Sequence, residues 1–141
     1  MDANDVRAAI DTAIERAVAV SCGKPMEWGI DDCVLWAANI LWPIVGFDPA
    51  AEFRGRYRDE SAAYGLVSRL GLAMTVARAA RDLGWPRIDP LRAQVGDVGI
   101  VRSLNGPACV LFWRADQWVG PLDYGFATVH RAEARFAWSI G

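Results

Sequence analysis

The sequence predicts an α+β fold: a helical N-terminal two-thirds, with a central cysteine-bearing helix packed on a small antiparallel β-sheet. Two observations lead there. Apolar residues recur at helical spacing through the first part of the chain, and after "WPRIDPLRAQ" they give way to short β-prone runs divided by turn signals. Helices followed by strands argue for segregated layers and not for alternating βαβ units. The 141 residues suit one domain, 1–141, with 1–88 mainly helical and 95–141 mainly strands, because neither half has enough core to stand alone.

The first helix is read from Val6, Ile10, Ala13, Ile14, Ala17 and Val18, with Asn4 or Asp5 as its cap. "SCGKPMEWG" breaks it. A second helix begins at Asp31 or Asp32 and runs through "CVLWAANILW" to Pro43; being apolar nearly all round, it belongs at the centre of the fold. "VGFDPAAEFRGRYRD" reads as an ordered surface loop. "ESAAYGLVSRLG" and "AMTVARAARDLG" read as short helices ending at Gly71 and Gly84. The strand candidates are "DVGIV", "ACVLFW", "QWVGP", "FATVH" and a final "RFAWSI", with "LNGPA" and "RADQ" as turns.

Composition narrows the function. With 53% hydrophobic and 23% charged residues the chain is an ordinary globular one, and a net charge of -2 offers no footprint for a nucleic-acid backbone. The N-terminus is acidic where a signal peptide is basic, and Asp11, Glu15 and Arg16 interrupt its apolar residues, so neither a signal peptide nor a membrane span is expected. Cys22, Cys33 and Cys109 are an odd number of cysteines in a chain too long to need staples, and are expected as reduced thiols. With His130 as its lone histidine and no CxxC, the chain is expected to hold no metal, and no cofactor is implied.

Cys33 directly follows two aspartates at a helix start. Helix N-termini lower thiol pKa through backbone dipoles and free N–H groups; the two carboxylates act the other way, although one serves as the cap. Chemistry alone allows either a nucleophile or a small buried residue behind an Asp cap. Trp28 and Gly29 shape the turn before it. Arg54, Arg56 and Tyr57 of "FRGRY" are expected to buttress the cysteine loop, the arginines pairing Asp31, Asp32 or helix C-terminal carbonyls. Seven tryptophans are many for this length. Trp113, Trp118 and Trp138, with Phe112 and Tyr124, fall in the strand region; those left exposed together would make an interface patch. Cys22 and Cys109 are assigned to packing.

"WGIDDCVLWAANIL", then "FRGRY", four helical turns, and "VGDVGIV" before a strand-rich end resemble the NlpC-type branch of the papain-like cysteine peptidases. Among these the chain is most similar to the short NlpC-like proteins of phage and prophage tail genes. The resemblance implies Cys33 as nucleophile, Asp32 as the residue before it, and Gly96-Asp97 as the turn into the sheet. It also implies a histidine opening the next strand, which here reads "GPACVLFW", with Pro107 and Ala108 at that point and no base. His130 is the substitute base to consider, although it falls where the family has a strand that does not line the site. A thiol needs an imidazole within hydrogen-bond reach to act as nucleophile. The resemblance therefore implies a structural or assembly component of a phage or prophage tail tip, made in the bacterial cytoplasm and carried in the virion, whose partners are other tail-tip or hub proteins. The alternative is an active cysteine hydrolase that cuts peptidoglycan stem peptides through Cys33. A third class is an intracellular binding module outside any phage context.

Overall fold

Asp2 and Asp5 cap each other's end of the first helix: the Asp5 N–H donates to Asp2 Oδ1 at 2.8 Å and the Asp2 N–H to Asp5 Oδ2 at 3.2 Å. The cap of α1 (Ala3–Ser21) is thus Asp2, with Asp5 in the reciprocal position three residues on, and not Asn4 or Asp5 as the sequence suggested. The computed structural model describes residues 2–21, 24, 26–33, 35–67, 71–104, 106–122 and 125–141, without the side chains of residues 64, 66 and 67. Cys22 and Tyr124 lie outside them.

α2 (Leu35–Val45) buries Leu35, Trp36, Ala37, Ala38, Ile40 and Leu41, as its all-round apolarity requires. It runs past Pro43 instead of stopping there. A proline this close to the C-terminus costs one backbone bond, and Gly46, at φ +88°, closes the helix by donating to the Trp42 carbonyl at 3.0 Å. α3 (Glu60–Val67) and α4 (Gly71–Asp82) follow. Gly71 stands at the start of α4, and the residues that would join it to α3 lie outside those described. Gly84 ends α4 as expected: its N–H meets the Arg81 carbonyl at 3.1 Å and the Trp85 N–H meets Ala80 at 2.8 Å, the paired bonds of a Schellman cap.

Six strands form one sheet in the order β1-β6-β2-β3-β4-β5, each neighbouring pair antiparallel. They are β1 (Arg87–Ile88), β2 (Val98–Ser103), β3 (Gly106–Phe112), β4 (Gln117–Leu122), β5 (Gly125–His130) and β6 (Ala134–Trp138). β1 falls at the end of the stretch read as helical, and β6 is where "RFAWSI" was expected. Both faces of the central strands are covered, which explains their nearly continuous apolar runs. Cys109 and Leu111 of β3 join Ile10, Ile14, Trp36, Ile40, Leu41 and Leu72 in the core beneath the helices. Ala108, Val110 and Phe112, pointing the other way, pack with Trp118, Ala134 and Ala137. On that side the Arg131 guanidinium lies over the Phe112 ring at 4.4 Å. The architecture is α+β, with helices and sheet sharing one core.

Asp97 binds the two halves together. Its carboxylate, 1% exposed, takes Arg7 Nη1 at 2.9 Å and the Ile140 N–H at 3.2 Å on Oδ1, and the Gln94 N–H at 2.8 Å on Oδ2. Arg7 also donates to the Val95 carbonyl at 2.8 Å and the Gly141 carbonyl at 2.5 Å. A buried ion pair is tolerated only when its remaining polar valences are filled, and here they are. The Gly96-Asp97 turn, with Gly96 at φ +92°, therefore anchors α1 and the C-terminal segment where the chain enters β2.

Candidate functional site

The start of α2 is organised by two aspartates with separate tasks. Asp31 Oδ1 accepts the Glu27 N–H at 2.6 Å and closes the turn before the helix. Asp32 is the N-cap: Oδ1 accepts the Leu35 N–H at 3.0 Å, Oδ2 accepts the Gly29 N–H at 2.8 Å, and its carbonyl accepts the Trp36 N–H at 2.9 Å. Cys33 is thereby the first residue after the cap, where the helix dipole is strongest. The regular turns of the helix begin two residues later, at Leu35.

Gly29 carries φ +87°, and a Cβ there would stand 2.5 Å from the Tyr57 carbonyl oxygen. Only glycine allows the Tyr57 backbone to cross so close to this turn. Tyr57 is 5% exposed and packs with Leu35, Ala38, Ala50 and Ala63, against Trp28 and Phe53. The structure thus brings Trp28, Gly29, Asp32, Cys33 and Tyr57 together. The Tyr57 hydroxyl is buried and meets no partner at full hydrogen-bond geometry. Burial first, and then the neighbouring Asp32 carboxyl, raise its pKa, so the phenol keeps its proton.

The same forces act on the thiol. Burial, followed by the Asp32 charge and, more weakly, Glu60, pushes the Cys33 pKa up to about 12, against one lowering contribution from a backbone hydrogen bond. Cys33 is half-buried against the cluster that holds Ala108 and Val110. Cys109, fully buried on β3, has its own pKa pushed up to about 12, by burial first and then by its coupling to Cys33. Where the family resemblance implies a base on β3, the strand carries an alanine followed by a second neutral thiol.

The arginines of "FRGRY" do not pair with Asp31 or Asp32. Arg54 grips Asp48 in a fork, Nε to Oδ2 at 2.6 Å and Nη2 to Oδ1 at 3.1 Å, donates to Asn39 Oδ1 at 2.7 Å, and lies 4.8 Å over the Trp42 ring. Its hydrogen bond holds the Asp48 carboxyl below the usual range. The reason is local: Asp48, six residues away, meets the guanidinium along the edge of the loop, while both earlier carboxylates are spent on backbone N–H groups. Arg56 is exposed. So the buttress is Tyr57, reinforced through Asn39, which donates to the Ile30 carbonyl at 2.8 Å.

His130 stands on β5, the edge strand, exposed, with Nδ1 accepting the Ala132 N–H at 3.1 Å as cap of the 131–133 turn. Phe126, whose ring meets Trp36 of α2 at 5.4 Å, is four residues back, about 13 Å along a strand. The charges that act on the Cys33 thiol are those of Asp32 and Glu60. Asp97 belongs to the anchor described above and not to this cluster. Of the strand-region tryptophans, Trp118 and Trp138 are buried, and Trp113 lies under the Arg114 guanidinium at 4.5 Å, so they form no exposed patch. Among the described residues no three His, Cys, Asp or Glu side chains are grouped to hold a metal ion, and no helix is long and apolar enough to cross a membrane.

Sequence reasoning missed the Arg7–Asp97 pair, although a signal existed: Arg7 precedes Ile10 by three and Ile14 by seven, which puts it on the buried stripe of α1. Residues 5–140 match a family described as a domain of unknown function (DUF6950). No curated protein and no solved structure matches the chain.

Proposed function

The chain belongs to the DUF6950 family, and we propose that it is an NlpC-like, papain-type module of a phage or prophage tail tip that serves assembly and not peptide hydrolysis. The observation that carries this reading is a cysteine just after the cap of a central helix, beside the sheet, whose thiol is held protonated by burial and by the charges of Asp32 and Glu60. A "GD" turn leading into β2 and the strand-rich end agree with the same family. A thiol whose pKa is pushed up to about 12 stays protonated near neutral pH, and without a general base it has no route to a nucleophile. In this reading the site is a cysteine-peptidase helix start without a proton acceptor. Its partners in this reading are neighbouring tail-tip or hub proteins.

The deciding experiment is the pH dependence of Cys33 alkylation in a Cys22→Ser/Cys109→Ala variant, alongside mass spectrometry of purified particles from the same phage or prophage. The expected result is slow alkylation that accelerates only above pH 9, and the protein present in particles. Fast alkylation well below the ordinary thiol pKa of about 8.5, with a covalent adduct from a peptide electrophile, would overturn it in favour of the peptidoglycan hydrolase. Absence from the particles would also defeat it.

A further inference from the structure

The two edges of the sheet are built differently. β1, at one end of the strand order, is two residues long, lies between Pro86 and Pro90 and carries the exposed Arg87. Shortness, proline and charge are the devices that keep an edge from pairing with another chain. β5, at the other end, has none of them. It runs from Gly125 to His130 with no proline and no Lys, Arg, Asp or Glu, and it pairs with β4 in continuous register, from Leu122 opposite Gly125 to Gln117 opposite His130. Arg131, the next residue, is tied back to Asp116 at 3.1 Å and to the Leu91 carbonyl at 2.5 Å.

The register fixes which backbone groups face outward. The Arg131 N–H donates to the Asp116 carbonyl at 2.6 Å and so points toward β4. Alternation along the strand then turns Val129, Ala127 and Gly125 toward β4, and His130, Thr128 and Phe126 away from it. Pro121 agrees: having no N–H to give, it stands opposite Phe126, where none is asked of it on the β5 side. Ala127, Thr128 and His130 are exposed, and among the described residues no strand lies beyond β5. The edge therefore presents a row of N–H and C=O groups from Phe126, Thr128 and His130, and the complement of such a row is another extended backbone.

We infer that this backbone is supplied by a second copy of the chain, β5 pairing antiparallel with β5 across a two-fold axis at Thr128. That register uses the whole strand: Thr128 faces the partner's Thr128, and Phe126 and His130 face the partner's His130 and the partner's Phe126, each pair exchanging N–H···O bonds in both directions. A two-fold contact must be complementary to itself. Here no like charges of β5 meet, a threonine pair sits on the axis, and each Phe126 ring, held 5.4 Å from Trp36, lies opposite an imidazole. Threonine pairs and aromatic pairs of this kind stabilise neighbouring strands. Because β1 is guarded at the far end, pairing stops at two copies. This inference does not depend on the reading of Cys33.

The test is sedimentation velocity of the full chain under reducing conditions, from about 1 to 100 µM, with amide hydrogen exchange read by NMR at both ends of that range. A monomer–dimer equilibrium with nothing larger is expected. The N–H groups of Phe126, Thr128 and His130 should exchange at least about tenfold more slowly in the dimer, while those of Ala127 and Val129, bonded to β4 in either state, change little. Thr128→Lys sets like charges against each other on the axis and should weaken dimerisation at least about tenfold; Thr128→Val, which keeps a β-branched residue there, should preserve it. Cys33→Ala should leave the equilibrium unchanged, which separates this result from any outcome at the thiol. A monomer throughout would overturn the inference and leave the edge to a strand of another protein. A dimer whose Phe126, Thr128 and His130 amides exchange as in the monomer, or one that folded Thr128→Lys leaves intact, would overturn it as well. Should Thr128→Lys fail to fold, the three amides of the parent decide alone.

Discussion

Raising the pH from 8 to 10 should destabilise the protein through its two described thiols, and the size of the loss follows from their environment. Cys33 and Cys109 both have their pKa pushed up from 9.0 to about 12 by burial in the folded chain. A raised folded-state pKa means that the native protein holds the proton longer than the unfolded chain does. Below pH 9 the two states bind the proton alike and nothing is lost; above it the unfolded chain ionises first, and stability falls until about pH 12. At pH 10 each thiol contributes a loss on the order of 1 kcal/mol by linkage. Cys33 is partly exposed, so solvent screening trims its share, and the pair together costs about 2 kcal/mol. The background is favourable, because Lys24 is the chain's only lysine, while Tyr57 shifts in the same direction and adds its effect at higher pH. The assay is urea unfolding at pH 8, 9 and 10 in a Cys22→Ser background, compared with a variant that also carries Cys33→Ala and Cys109→Ala. A pH slope identical in the two proteins would refute the reasoning, since the slope would then arise elsewhere.

Three further outcomes test the framework of the site. Gly29→Ala meets the Tyr57 carbonyl at 2.5 Å in a left-handed backbone conformation and should cost about 2–4 kcal/mol; a melting temperature within a degree of the parent would show that the turn does not depend on this approach. Asp97→Ala strands the Arg7 guanidinium and two backbone N–H groups and should cost about 3–5 kcal/mol in urea unfolding, with Asp97→Asn intermediate; a loss under about 1 kcal/mol contradicts the anchoring role. Tyr57→Phe removes a buried hydroxyl with no partner at full geometry and should be neutral or stabilising by about 1 kcal/mol. A clear destabilisation would instead reveal a strong bond from that hydroxyl to Asp32.

The sequence made some levels of this structure legible and hid others. α1, the apolar α2 and the strand-rich C-terminal third were readable because hydrophobic period depends on local spacing. An aspartate cap at 31 or 32 and the Gly29 turn were also readable, since both are answers to local backbone geometry; that Asp32 is the cap came only from the fold. The partner of Arg54 was not. Several carboxylates lay within reach, and the choice of Asp48 depended on Asp31 and Asp32 already being used by backbone donors. Arg7 was hidden for a related reason: its Asp97 partner is 90 residues away, and an arginine on an apolar stripe reads as an exception until the chain is folded. The grouping of Tyr57 with Cys33 likewise rests on the close crossing at Gly29, which spacing cannot reveal.

The same distinction bears on Cys33. Its position at a helix start is a local property, and taken alone it favours the thiolate through the dipole, an effect worth about 0.3–1 kcal/mol in exposed settings. Whether that advantage prevails is a tertiary matter. Here the chain folds the thiol against apolar residues of the sheet, leaves the Asp32 charge beside it and gives it Cys109 as a further neighbour, and burial and negative charge together outweigh the dipole. An activated cysteine needs the opposite surroundings, a partly exposed and electropositive pocket. The guanidinium of Arg54, on the loop that packs over the helix start, is instead committed to Asp48 and Asn39. The helix start therefore favours the thiolate by its position while burial and the Asp32 charge keep the proton on sulfur, and lowering the Cys33 pKa would require a change in both, not one substitution.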